Sequence, residues 1–151
     1  MSVADYGPWS VYLSGEIHTD WRDVIEKGVR EAELDAVFFG PVLDHDASDH
    51  CGVRILGEEE SPFWRDRKGA GINSIRTGTL IERADVVVVR FGPKYRQWNA
   101  AFDAGYAAAL GKPIITLHDE DLDHALKEVD AAARAVARRP EQVVELSLIH
   151  I

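Results

Sequence analysis

The stretch "DVVVVRFGPKYRQWNAAFDAGYAAALGKPIITLH" (Asp85–His118) decides the fold. "DVVVVRFG" is a continuous β-branched run, as expected of a central parallel strand buried on both faces. "AAFDAGYAAAL" reads as a helix of small and apolar residues. Gly111 suits the position just past its end, and Pro113 prevents its continuation. "KPIITLH" is a further strand. Strand, helix and strand in succession imply parallel strands joined by a crossover helix.

The same alternation extends outward. "WSVYLSG" (Trp9–Gly15) reads as the first strand. "DWRDVIEKGVREAEL" places Val24, Ile25, Val29 and Ala32 at helical spacing, with Thr19 or Asp20 available as a cap. "DAVFFGP" (Asp35–Pro41) is a second strand, stopped by Gly-Pro. Asp44–Gly71, rich in acids and glycine, reads as a long functional loop with at most one short helix. "INSIRTGTLIERA" is helical. "DLDHALKEVDAAARAVARR" reads as a final amphipathic helix, and "QVVELSLI" as an edge strand.

These elements predict an α/β fold: a three-layer, doubly wound sheet of about five parallel strands, flavodoxin- or Rossmann-like, in a single domain over residues 1–151. A ligand then binds beyond the carboxyl ends of the strands, where strand order reverses. The segments at those ends are "SGEIH", "GPVLDHDASDH", "FGPKYRQWN" and "LHDED".

Composition narrows the function classes. Of 151 residues, 46% are hydrophobic and 28% charged, which fits a globular protein with a real core. The net charge of −9 offers no basic stripe for a phosphate backbone, so no nucleic-acid partner is expected. The single cysteine, Cys51, excludes an intrachain disulfide and fits a reducing cytoplasm. "MSVADYGPWS" lacks the layout of a signal peptide, and the apolar runs are too short to span a bilayer, so no membrane partner is expected.

The chemistry-bearing residues gather at the strand ends. Asp103 falls in the first turn of its helix, where the dipole favours an ionised carboxylate; such an acid suits a nucleophile or an ion pair, or simply caps the helix. Tyr106, three residues on, is placed to orient it. Ser14 and Gly15 permit close approach of a ligand to the backbone. Glu16 and His18 lie in the crevice as acid–base candidates; alternatively Glu16 pairs with Arg22 or Arg76. "DHDASDHCG" (Asp44–Gly52) offers His45, Asp46 and Asp49 as ligand contacts, ordinary turn chemistry, or a metal site. It lacks the spacing of a strong metal motif, so no metal is assigned. Arg76, on "INSIRTG", suits a phosphate or carboxylate, or neutralises Glu16 or Asp103. Trp98 and Asn99, with Tyr95, suit a pocket rim that stacks on a base; Trp98 equally suits a core or interface. Cys51 has no recognisable catalytic partners. No GxGxxG or P-loop motif occurs, and no cofactor is assigned.

"VYLSGE", "ERADVVVV" and "NAAFDAGYAAALGKPII" together resemble the nucleoside 2-deoxyribosyltransferase superfamily. Within it, "VYLSGEIHTDWR", "FGPVLDHDASDH", "INSIRTGTL" and "FGPKYRQWNAAFDAGYAAALGKP" resemble the YtoQ-type branch over nearly the whole chain. The resemblance implies that a carboxylate at Asp103 attacks the anomeric carbon, expels the nucleobase and forms a covalent glycosyl–enzyme, which a second base or water resolves. It implies that Tyr12 helps hold the nucleophile or the sugar. It also implies a homo-oligomer, since the superfamily commonly completes its pockets across subunits. The sequence departs from the transferases at three places. Asp103 replaces the usual glutamate and reaches ~1.5 Å less far. Thr77 and Gln97 stand, by spacing, where the transferases carry acids.

Two readings follow. One is an enzyme of N-glycosidic bonds acting on a nucleoside or nucleotide, by transfer or hydrolysis, with Asp103, Tyr12 and Glu16 as catalytic residues. Gly15, His18, His45, Asp46, Asp49, Arg76, Trp98 and Asn99 then bind substrate. The other is a module that binds or senses such a ligand without turning it over.

Overall fold

The computed structural model describes residues 7–150, so most of the N-terminal stretch read for a targeting signal lies outside the described residues. Five parallel strands form one sheet in the order β2-β1-β3-β4-β5. They are β1 (Trp9–Gly15), β2 (Ala36–Phe39), β3 (Val86–Arg90), β4 (Ile114–Leu117) and β5 (Ala135–Ala137). The expected doubly wound architecture is therefore present. Strand order reverses between β1 and β3, which lie side by side with Tyr12 opposite Val87 and Gly15 opposite Arg90. That places a crevice at their carboxyl ends.

Among the described residues there are six α-helices: α1 (Trp21–Glu31), α2 (His45–Leu56), α3 (Pro62–Arg83), α4 (Trp98–Ala109), α5 (Lys127–Ala132) and α6 (Pro140–His150). Alternation along the strands divides the core in two. Tyr12, Val87, Val89 and Ile114 face Ile81 of α3, Ala100, Ala104 and Ala107 of α4, and Leu126. On the other face, Val11, Leu13, Val88 and Leu117 pack on Trp21, Ile25 and Val29 of α1 and Val143 of α6. The three small residues of α4 let that helix lie close against the sheet. Among the described residues no helix is long and apolar enough to cross a membrane.

Two stretches differ from expectation. Asp44–Gly71 holds α2 and the first half of α3. Asp44 caps α2, its carboxylate accepting from the Ala47 amide at 2.7 Å, and Ser61 caps α3 through the Trp64 amide. The glycines serve contact between these helices. A Cβ on Gly52 would meet the Lys68 side chain at 2.6 Å, and one on Gly69 would meet the Asp49 carbonyl at 3.1 Å.

The C-terminal region is the second correction. "DLDHALKEVDAAARAVARR" divides into a short 3-10 turn (Glu120–Leu122), α5 and the edge strand β5. "QVVELSLI" is helical, within α6. β5 pairs with β4 from Ile115–Ala135 to Leu117–Ala137, so sheet pairing overrides the helical preference of alanine. Val144 of α6 packs over Gly28 of α1, where an added Cβ would approach it to 2.7 Å.

Candidate functional site

The site forms where β1 and β3 end. β1 closes on Gly15, whose φ of +116° is open chiefly to glycine. A Cβ there would lie 2.0 Å from the Arg90 carbonyl oxygen. The close approach lets the Glu16 amide donate to that oxygen at 3.1 Å, continuing the β1–β3 ladder one residue past the strand. Arg22 of α1 fixes the same turn from below. Its guanidinium donates to the carbonyls of Leu13, Gly15 and Glu16, the last at 2.6 Å.

Glu16 is buried, but it is not ion-paired with Arg22 or Arg76. Its carboxylate accepts from the His18 amide at 2.6 Å, the Thr19 amide at 3.1 Å and the Thr19 hydroxyl. Burial alone would raise its pKa; these hydrogen bonds and the charge of Arg90 outweigh that, and the carboxyl is held below its ordinary value. It behaves as a fixed anion that shapes the β1–α1 turn. Of the two residues read as a cap of α1, Asp20 takes the N-cap position, without a side-chain bond, and Thr19 spends its hydroxyl on Glu16.

Asp103 reaches the crevice from α4. That helix begins at Trp98, with Gln97 as its cap, so Asp103 stands in the second turn rather than the first. The dipole effect fades beyond the first turn. The expected lowering is accordingly absent: burial pushes the Asp103 carboxyl above its ordinary value, and a hydrogen bond from Ser14 pulls it back only in part. The Ser14 hydroxyl donates to Asp103 Oδ2 at 2.7 Å across the β1–α4 contact. Ser14 was legible only as a small residue; alternation along β1, which puts Tyr12 and Ser14 on the α4 side, is the signal that points to it. Tyr106 does not orient Asp103. Its hydroxyl donates to Glu82 on α3 at 2.7 Å.

A cavity of about 1280 Å³ opens over these groups. Gly15, Glu16, His18, His45, Asp49, Arg76, Asn99 and Asp103 all line it, as do Thr77 and Gln97. His18 is the centre of a ring cluster, with Tyr95 at 4.8 Å and His45 at 5.5 Å between centroids. Gln97 braces the β3–α4 loop by accepting from the Gly92 amide at 3.1 Å.

Three expected site residues do not line the cavity. Tyr12 is fully buried in the core, and its hydroxyl has no hydrogen-bond partner among the described residues. Burial pushes its pKa up to about 12, with Asp103 adding to the rise and Thr77 opposing it. Asp46 lies on the outer face of α2, engaged with Arg54 and, at 2.9 Å, with His50. Trp98 projects from the start of α4 at 71% exposure, with the Arg96 guanidinium 5.8 Å from its ring. Of the acids in Asp44–His50, Asp44 serves as a cap, Asp46 pairs on the helix surface and Asp49 lines the cavity.

A different grouping, His118, Asp123 and Asp130, brings ligating atoms within 4.8 Å of one another past the end of β4. Each already has a partner. His118 Nε2 meets the Asp130 carboxylate at 2.9 Å, Thr116 donates to Asp130 at 2.8 Å, and Arg138 donates to Asp123 at 2.6 Å. The grouping ties α5 and the β5–α6 turn to β4.

Comparison with known proteins agrees with the fold. A conserved protein from Enterococcus faecalis V583 is similar in structure, with a TM-score of 0.64 and 10% identity over 96% of this chain and 100% of that one. A 2-deoxyribosyltransferase from Bacillus psychrosaccharolyticus has a TM-score of 0.53 and 18% identity over 89% of each chain. A response regulator receiver domain from Rhodospirillum rubrum has a TM-score of 0.54 and 13% identity, covering 93% of this chain and 92% of its own. At such identities these likenesses show the fold alone. In sequence, the uncharacterized protein YtoQ of Bacillus subtilis (strain 168) is 42% identical over 135 residues, 89% of this chain and 91% of the relative. The model of the family described as nucleoside 2-deoxyribosyltransferase YtoQ matches residues 12–150. The chain therefore belongs to that family.

Proposed function

We propose that this protein acts on the N-glycosidic bond of a nucleoside or nucleotide, by transfer or hydrolysis. The observation that carries the reading is Asp103: a half-buried carboxyl, oriented by Ser14, on the wall of a large cavity at the β1–β3 switch point. As a carboxylate it attacks the anomeric carbon, or faces an oxocarbenium-like transition state and stabilises it. Ser14 holds one oxygen and leaves Oδ1 for the sugar. Tyr12 lies beneath as a buried, neutral phenol whose hydroxyl makes no bond to Asp103. Glu16 shapes the β1–α1 turn, and the rings of His18, His45 and Tyr95 offer surfaces on which a base can stack.

The test is a panel of nucleosides and nucleotides assayed for free base. Release lost in Asp103→Ala, with the fold retained by circular dichroism, supports the reading. Tight binding with no release from any member would sink it and leave the binding module. That second reading is favoured by the raised Asp103 pKa and by the neutral side chains of Thr77 and Gln97 on the cavity wall.

The protein is further proposed to assemble as a homo-oligomer. The buried stripe of α4 packs on its own sheet, but Trp98, Phe102, Gly105 and Ala109 form a second, exposed stripe. Their spacing of four, three and four residues is that of a helix seam against another helix. A second copy supplies such a helix.

A further inference from the structure

We propose that the cavity takes its substrate as a phosphate ester, with the guanidinium groups of Arg67, Arg76 and Arg96 receiving the phosphate. The proposal rests on the N-glycosidic reading and narrows it to nucleotides.

The first observation is charge placement. In a chain of net charge −9, three arginines from two separate elements line one cavity. Arg67 and Arg76 come from α3, and Arg96 from the loop between β3 and α4.

The second is that these cations lack anionic partners among the described residues. The ion pairs of neighbouring groups go elsewhere: Arg65 to Asp66, Lys68 to Glu59, Arg54 to Asp46. Arg76 donates one Nη2 bond to the Gly40 carbonyl at 3.3 Å, which steadies it at the end of β2. Arg67 and Arg96 lie 5.9 and 5.8 Å from the rings of Trp64 and Trp98. An aromatic face occupies the plane of a guanidinium and leaves its edge N–H groups free.

The third is that the cavity's inner carboxylates do not call on these arginines. Glu16 takes its bonds from two amides and Thr19, and Asp103 takes its bond from Ser14. Asp49 and Asp66 also line the cavity; Asp66 lies 3.5 Å from Arg65. The alternative duty of Arg76, neutralising Glu16 or Asp103, is not what the geometry shows. Each guanidinium has five donors and no acceptor, and the forked geometry matches the terminal oxygens of a phosphate.

The test uses matched pairs, a 2′-deoxynucleoside and its 5′-monophosphate, with titration calorimetry at fixed ionic strength and a free-base assay. Wild type is expected to bind the monophosphate about tenfold tighter or more. The ratio falls toward one in Arg67→Ala, Arg76→Ala and Arg96→Ala, with partial recovery in Arg76→Lys. Inorganic phosphate competes with the monophosphate in wild type. A wild-type ratio near one, with base released from both, overturns the phosphate proposal and leaves the N-glycosidic reading standing. Preferential binding of the monophosphate without base release does the reverse. Binding of neither overturns both. A preference that survives all three alanine variants overturns the assignment to these arginines.

Discussion

At the scale of the residue, two positions carry testable weight. Asp103 is desolvated, and its pKa is raised above the ordinary 3.8. Unfolding returns it to that ordinary value, so the folded state binds the proton more tightly. Its contribution to stability is full below the unfolded pKa and is lost as pH rises through the folded one. Asp103→Asn removes the charge and keeps an acceptor for Ser14. The variant is expected to match or exceed the wild type in Tm at neutral pH, with the advantage shrinking in acid. Base release in the same variant is expected to fall on the order of a thousandfold. A Tm difference that ignores pH would show that the carboxyl is not desolvated. Gly15 is the second position. Gly15→Ala puts a Cβ against the Arg90 carbonyl and demands a φ that alanine resists. A loss of about 2 kcal/mol or more in urea unfolding is expected. Neither effect was legible in the residue alone. Asp103 stood out as an acid in an apolar helix, but its protonation depends on burial, and burial depends on what β1 lays across it.

At the scale of the element, the strand runs and helix periods of β1, α1, β2, β3, α4 and β4 were legible because each carries its own pattern. Val86–Val89 are β-branched and continuous, and α4 ends at Gly111 and Pro113 as its chemistry requires. The failures share a cause. α2 and the start of α3 bury little against the sheet and pack on each other through Gly52 and Gly69, so their apolar stripe is weak and their glycines resemble loop residues. Ala135–Ala137 is too short and too rich in alanine to announce a strand; only the free edge of β4 makes it one. His118 binds that region together. Asp130→Ala leaves Nε2 of the fully buried imidazole without a partner, Nδ1 keeping the Asp119 carbonyl, and strips Thr116 of its acceptor. The expected cost is about 1–3 kcal/mol, read as a lower midpoint in denaturant. Near-neutral behaviour would mean that α5 is held by its apolar contacts, Leu126 and Val129, alone.

At the scale of the whole molecule, the site is a product of topology. Gly15 at the end of β1 and Glu16 just past it, Arg76 and Thr77 from α3, and Asn99 and Asp103 from α4 meet because strand order reverses between β1 and β3. The outer stripe of α4 extends the reasoning to assembly. Phe102 is 74% exposed and Trp98 71%, more than a solvated helix face ordinarily presents in adjacent turns. Sedimentation is expected to give a mass above that of one chain, and Phe102→Glu to lower it; a wild-type monomer across the micromolar range would overturn the assembly. The sequence by itself determined the class of fold and the family, since hydrophobic period, glycine and proline punctuation and extended motifs are properties of contiguous residues. Only the tertiary structure decided which carboxyl is held above its ordinary pKa and which below, that Ser14 rather than Tyr106 holds Asp103, that Trp98 and Asp46 face away from the cavity, and that Ala135–Ala137 closes the sheet. Each of those depends on desolvation or pairing between residues far apart in the chain, which no local pattern records.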